Sequence, residues 1–67
     1  MKLKVNDIVE FGGLLGIVTD TKSYNKDYPI VVEFYKKKYG SYTETCTKDG
    51  KLYLEHETPL FNYIGEL

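Results

Sequence analysis

Apolar and polar residues alternate along most of this chain, a pattern typical of half-buried β-strands. In the first such segment, residues 3–11, the apolar positions are Leu3, Val5, Val9 and Phe11. A turn or bulge is expected at Asn6-Asp7, because both residues favour turns, so the strand itself is predicted over residues 8–11. The glycine pair at 12–13 is expected to end the strand, because glycine adopts positive φ at little cost.

The next two segments carry the same alternation. Over residues 14–21, the positions that share one face are Leu14, Gly16, Val18 and Asp20. A glycine inside a strand indicates a bulge or a close approach of another part of the chain, and this is expected at Gly16. Residues 22–27 are polar and predict a loop. Residues 28–35 are the strongest strand candidate, because they are mostly β-branched or aromatic. Ile30, Val32 and Phe34 share one of its faces.

The second half of the chain predicts further short strands separated by turns. Residues 36–40 are expected to connect two strands, with Gly40 in the left-handed conformation. A fourth strand is predicted over residues 41–47, and the Asp49-Gly50 pair predicts a hairpin turn into a fifth strand at residues 51–54. The last apolar segment, residues 60–64 after Pro59, is compatible with a strand or with a helical turn.

The spacing of these elements predicts the fold class. No segment shows a helical period with caps, and turn signals recur at intervals typical of all-β domains. A chain of 67 residues has room for one domain, so residues 1–67 are predicted to form a single small barrel of five to six short antiparallel strands. Closure into a barrel is favoured because it removes exposed sheet edges.

The composition limits the kinds of chemical site that the chain can form. The chain has one cysteine, Cys46, and one histidine, His56, so an internal disulfide and a structural zinc site are both excluded and no cofactor is expected. A Cys46–His56 nucleophile pair lacks an orienting third group, and Asp7 and Asp20 are explained as turn and loop residues. We therefore predict that the protein is not an enzyme.

The same composition also predicts the cellular compartment of the protein. A lone thiol is unlike the disulfide-stapled small secreted domains, and the N-terminal residues lead into no apolar signal segment. The longest apolar run, residues 30–32, is far too short to span a bilayer. We therefore expect a cytoplasmic protein that makes no contact with a membrane.

The net charge and its distribution indicate which class of partner the chain binds. The net charge is −1, and every one of the nine basic residues is lysine, which argues against base-specific recognition of nucleic acid. Residues 1–40 carry a net charge of +2 and residues 41–67 a net charge of −3, so copies of the chain can also pair head-to-tail as a homo-oligomer. Ordinary surface charge explains the same distribution.

The segment with the clearest functional signal is residues 35–39, in which three lysines lie between two tyrosines. The residues predicted to contact a partner are Tyr24, Tyr28, Tyr35, Lys36, Lys37, Lys38 and Tyr39. Tyrosine is enriched at protein interfaces, and lysine pairs with acidic partners. The same residues suit nucleic acid, with rings stacking on bases and lysines meeting phosphates. A solvated hairpin whose lysines protect a sheet edge is the structural alternative.

Two resemblances bear on fold and function. Residues 5–9 (VNDIV), Gly13 and residues 16–18 (GIV), followed by the proline-led strand, resemble the entry of KOW- and Tudor-type SH3-like barrels. Residues 28–34, 47–53 and 59–61 resemble a group of small phage and prophage proteins in order and rough spacing.

The chain departs from that phage pattern at two places. Asn6 replaces its usual glycine, and residues 42–47 make a longer link to the Asp-Gly turn. The resemblance implies an SH3-like barrel and a phage accessory protein that binds a host protein, such as a defence factor, and modulates or inhibits it in the host cytoplasm. A KOW- or Tudor-like nucleic-acid-binding module and a structural virion component are the alternatives. The resemblance carries over no binding residue.

Overall fold

The computed structural model describes residues 2–36, 40–55 and 60–67. Within these residues the secondary structure consists of five β-strands and no helix. The strands are β1 (Asp7–Phe11), β2 (Leu14–Asp20), β3 (Ile30–Lys36), β4 (Gly40–Cys46) and β5 (Asn62–Glu66). Every pairing between them is antiparallel, so the all-β prediction is confirmed.

The strands form one sheet in the order β4-β3-β2-β1-β5. Each of the first four strands pairs with its neighbour in sequence, and β5 returns to pair with β1. Among the described residues β4 and β5 are the two edges and do not pair with each other, so hydrogen bonding leaves the sheet open, and the predicted closure into a barrel is not confirmed. The register shifts between Ile8 and Val9 and again between Val18 and Asp20, and such bulges increase the local bending of a sheet.

The core lies on one face of this sheet. Its buried residues are Leu3, Val9, Val18, Ile30, Val32, Phe34, Cys46 and Phe61. Phe61, just before β5, brings its ring within 4.7 Å of the Phe11 ring and 5.9 Å of the Phe34 ring, measured between centroids. These aromatic contacts connect the segment before β5 to β1 and β3 through the core, and the predicted grouping of Ile30, Val32 and Phe34 on one face of β3 is confirmed, since all three are buried.

The expected close approach at Gly16 is present. Gly16 pairs with Phe34 of β3, and a Cβ atom built at this position would lie only 2.7 Å from Phe34 Cδ1, Phe34 Cε1 and Val32 Cγ1. Real Cβ atoms almost never come that close to another heavy atom, so a side chain at Gly16 would force β2 and β3 apart.

The turn before β1 depends on the buried carboxylate of Asp7. The Lys4 amide donates a hydrogen bond of 2.8 Å to Asp7 Oδ2, and the Asp7 amide donates one of 3.0 Å to the Lys4 carbonyl. Asn6 has a φ of 76°, as expected for a turn. Asp7 is buried, and its Oδ1 has no hydrogen-bond partner among the described residues.

The predicted fifth strand at residues 51–54 is wrong. Gly50 has a φ of 91°, but the turn is closed locally, by the Thr47 amide donating to the Lys51 carbonyl at 2.9 Å. The Gly50 carbonyl then accepts the amides of Leu60 and Phe61, both at 3.1 Å. These bonds tie the turn to the segment before β5, and residues 51–54 form turns and bends instead of a strand.

The last apolar segment forms a strand and not a helical turn. β5 begins at Asn62, and of the segment's apolar residues Phe61 is buried whereas Leu60, Tyr63 and Ile64 are exposed. Pro59 lies outside the described residues.

Candidate functional site

The structure separates the residues that the sequence groups as partner-binding candidates. Tyr35 lies in β3 with 67% of its surface exposed, and the backbone of Lys36 ends that strand. Tyr24 is fully exposed in the connection between β2 and β3. Lys37, Lys38 and Tyr39 lie outside the described residues.

Tyr28 belongs to a different environment from Tyr35. It is half-buried, and its hydroxyl accepts a 3.2 Å hydrogen bond from the Leu54 amide. It precedes β3, whereas Tyr35 is near the end of that strand, and a strand rises about 3.3 Å per residue. Tyr24 and Tyr28 therefore lie towards the opposite end of β3 from Tyr35, and the three tyrosines do not form one patch.

Around Tyr35 the exposed surface is the side of the sheet that faces away from the core, here called the outer face. It consists of the residues that alternate with the core positions, among them Ile8, Glu10, Leu15, Ile17, Val31, Glu33 and Tyr35. Gly16 pairs with Phe34, so Leu15 and Tyr35 are the next residues on these adjacent strands and lie on the outer face of each. Leu15 is 61% exposed, so the outer face presents a pair of large side chains, one aliphatic and one aromatic, to solvent on neighbouring strands.

Two carboxylates flank this pair. Glu33 is exposed and pairs across the sheet with Ile17. Glu10 pairs with Leu15, and its carboxylate accepts hydrogen bonds from Asn62 Nδ2 at 3.0 Å and from the Gly13 amide at 2.7 Å. These two bonds hold the pKa of Glu10 below its ordinary value, so the carboxylate is ionised at neutral pH. Negative charge beside Leu15 suits a protein surface better than a phosphate backbone.

A groove at the other end of β3 was missed by the sequence analysis. It has a volume of about 410 Å³ and is lined by Lys2, Leu3, Lys4, Val5, Thr21, Lys22, Ile30 and Lys48. The Leu3 amide donates a 3.3 Å hydrogen bond to the Lys48 carbonyl, which holds the N-terminal segment against the turn after β4. We call this feature the lysine-rimmed groove. The alternation of residues 2–5 places Lys2 and Lys4 on one side of that segment. Only the folded topology brings Lys22 and Lys48 close to these two lysines.

The described residues offer little for covalent or metal chemistry. Cys46 is fully buried, and burial, with a smaller contribution from the negative charge of Asp49, raises the pKa of its thiol to about 12. His56, its candidate partner, lies outside the described residues. Within residues 2–36, 40–55 and 60–67, no group of three or more histidine, cysteine or acidic side chains is placed to hold a metal ion.

None of the residues that the structure describes forms a helix long and apolar enough to cross a bilayer.

Comparison with known proteins identifies no protein related to this chain. No protein-family model, curated protein or solved structure matches this chain. The likeness to KOW-type, Tudor-type and phage proteins therefore stays a prediction, and function is inferred from the two surfaces described above.

Proposed function

We propose that this chain is a non-enzymatic, SH3-like protein-binding module, and that the outer face around Leu15 and Tyr35 contacts its partner. The observation that carries the proposal is the exposure of these two large side chains on the same face of two adjacent strands. Interfaces are enriched in tyrosine, and an exposed aromatic anchor beside an aliphatic one is typical of a binding hot spot.

The SH3-like assignment is supported by the strand order. Four strands follow one another as a meander, and the fifth returns to the first strand, so the N- and C-terminal strands lie side by side. Bulges of the kind found in β1 and β2 bend a sheet, and Phe61 packs in the core beside Phe11 and Phe34. The resemblance of residues 5–9 and 16–18 to KOW- and Tudor-type barrels agrees with this assignment.

The biological role that we propose is based on the resemblance to phage proteins. The chain would be a phage accessory protein that binds a host protein in the host cytoplasm and modulates or inhibits it. The support for a role without catalysis is that the only cysteine is buried, with a strongly raised thiol pKa.

The test is a quantitative pull-down from a bacterial lysate with the wild-type chain, Tyr35→Glu and Leu15→Glu as baits. We expect a stoichiometric protein partner on the wild type and its loss from both variants, since each places a charge in the apolar contact. Both positions are exposed, so the free energy of unfolding should change by no more than about 1 kcal/mol, and most of that change is expected in Leu15→Glu, where the new carboxylate lies opposite Glu10.

Tyr24→Glu is the matched control, because it makes the same chemical change at a fully exposed tyrosine near the other end of β3. It should leave capture intact. Absence of any stoichiometric partner contradicts the proposed function, and equal loss from Tyr24→Glu contradicts the assignment to the outer face.

A nucleic-acid-binding module is the second candidate, and the four lysines around the groove are the observation that favours it. Such binding would weaken steeply with salt as counterions are released. Measuring oligonucleotide binding at low and moderate salt separates this candidate from the first. A structural virion component would instead be a stable homo-oligomer, which native mass measurement identifies.

A further inference from the structure

The lysine-rimmed groove unites side chains from four separate parts of the chain. Its rim carries positive charge, at Lys2, Lys4, Lys22 and Lys48. Its apolar lining consists of Leu3, Val5 and Ile30, contributed by the N-terminal segment and the start of β3. The volume of about 410 Å³ is within the range of pockets that hold small ligands or a short piece of peptide.

The rim lysines are available to an incoming anion. No acidic residue lines the groove among the residues that the structure describes. Lys4 Nζ lies 3.8 Å from Glu66 Oε2, but both side chains are mostly exposed, and an ion pair of this kind is weak and easily exchanged. Asp49, next to Lys48 in the chain, accepts a hydrogen bond from the Thr47 hydroxyl and lies 3.8 Å from Lys51 Nζ.

The lining indicates what else the ligand must have besides negative charge. Leu3 and Ile30 are core residues with little exposed surface, and Val5 is 50% exposed, so an apolar group placed in the groove loses contact with water mainly against Val5. A free phosphate or other small anion would leave this surface uncovered. The complementary ligand is therefore an apolar group with carboxylates or phosphates on either side.

The same lining distinguishes peptide from nucleic acid. Single-stranded nucleic acid is held by lysines together with aromatic rings that stack on the bases. The described residues place no tyrosine or phenylalanine in the lining of the groove. We infer that the lysine-rimmed groove binds an acidic peptide segment, with an apolar side chain on Leu3, Val5 and Ile30 and flanking carboxylates on the lysines.

This second surface is independent of the proposed function. Ile30 begins β3 and Tyr35 is five residues further on, a distance of about 17 Å along an extended strand. A partner at the outer face and a peptide in the groove can therefore be tested separately, because Tyr35→Glu should leave peptide binding unchanged.

The probe is a fluorescent peptide in which one leucine is flanked on each side by two glutamates. Fluorescence anisotropy should show saturable binding that weakens with salt, and amide chemical-shift changes should be confined to residues 2–5, 21–22, 30 and 48. The peptide with glutamine in place of glutamate, and the one with serine in place of leucine, should each bind several-fold more weakly.

Variants of the rim and floor test the assignment. Lys22→Gln and Lys48→Gln should each weaken binding by about two- to fivefold, the scale of single exposed charge pairs. Val5→Ser should weaken it without changing the charge. Lys26→Gln is the matched control, because Lys26 is an exposed lysine that does not line the groove.

Three results would overturn the inference. The first is no saturable binding of the peptide at millimolar concentration and low salt. The second is an equal loss of affinity in Lys22→Gln and Lys26→Gln, which would mean that the peptide senses only overall charge. The third is tighter binding of a thymidine oligonucleotide with the same dependence on Lys22 and Lys48, which would assign the groove to nucleic acid.

Discussion

Replacing Gly16 with alanine tests the closest contact in the sheet. The added methyl group would lie 2.7 Å from three atoms of Phe34 and Val32, and neither of these side chains has any exposed surface. Neither can turn away into solvent, so β2 and β3 must separate or the core must repack.

The expected cost can be estimated from two opposing effects. Overpacking a tight core costs about 1–3 kcal/mol, and three simultaneous clashes favour the upper end. Replacing glycine with alanine also lowers the conformational entropy of the unfolded chain, which stabilises the folded state by about 0.4–1 kcal/mol. The net loss is about 2 kcal/mol, out of a total stability of about 3–10 kcal/mol for a chain of this length. A small domain then loses about 8–16 °C in melting temperature.

The assay is urea and thermal unfolding followed by circular dichroism, with Gly65→Ala as the control. A Cβ at Gly65 meets nothing within 4 Å, and Gly65 also lies in a strand. This variant therefore lowers the entropy of the unfolded chain without adding a clash in the folded state. We expect Gly65→Ala to be equal to the wild type or slightly more stable. In a Phe34→Leu background, Gly16→Ala should cost at least about 0.5 kcal/mol less than in the wild type.

One outcome would refute this reasoning. If Gly16→Ala and Gly65→Ala unfold at the same urea concentration, the strands are not as closely packed at Gly16 as the contact distances indicate.

Two further predictions concern buried polar groups. The free energy of unfolding of Asp7→Asn, measured in urea, should equal or exceed that of the wild type, because the variant keeps an oxygen for the Lys4 amide and removes a buried charge. Asp7→Ala should lose about 1–3 kcal/mol of this free energy. An equal loss in both variants would contradict the prediction. With its pKa raised to about 12, Cys46 should react with thiol reagents only after unfolding. Stability should fall above about pH 8.5, because the unfolded thiol ionises there while the folded one stays protonated, and Cys46→Ala should remove that slope.

The strands that could be predicted from sequence are those whose burial alternates cleanly. β2 and β3 match their predicted faces because Val18, Val32 and Phe34 are buried at every second position. The strand prediction at residues 51–54 was wrong because an Asp-Gly pair specifies a turn but does not determine the structure of the next residues. Whether those residues form a strand depends on where the rest of the chain directs them, and here Gly50 bonds to Leu60 and Phe61 instead of starting a hairpin.

The binding surfaces were predictable only in part. Tyr35 was singled out in the sequence because it begins a run of three lysines between two tyrosines, and the structure shows that it is exposed. Leu15 was not singled out, because placing it on the same side of the sheet as Tyr35 requires the register between β2 and β3. The groove was missed because Lys4, Lys22 and Lys48 are far apart in the chain and meet only in the folded state.

The pairing of β1 with β5 has a consequence for how the chain folds. The hairpins among β1 to β4 join neighbouring segments, so each can form with little loss of chain entropy. Asp7 instead pairs with Glu66, nearly the full length of the chain away. Non-local contacts of this kind form late and slow the overall rate. We therefore expect the four-strand meander to assemble first, with the arrival of β5 and Phe61 completing the core as the last cooperative step.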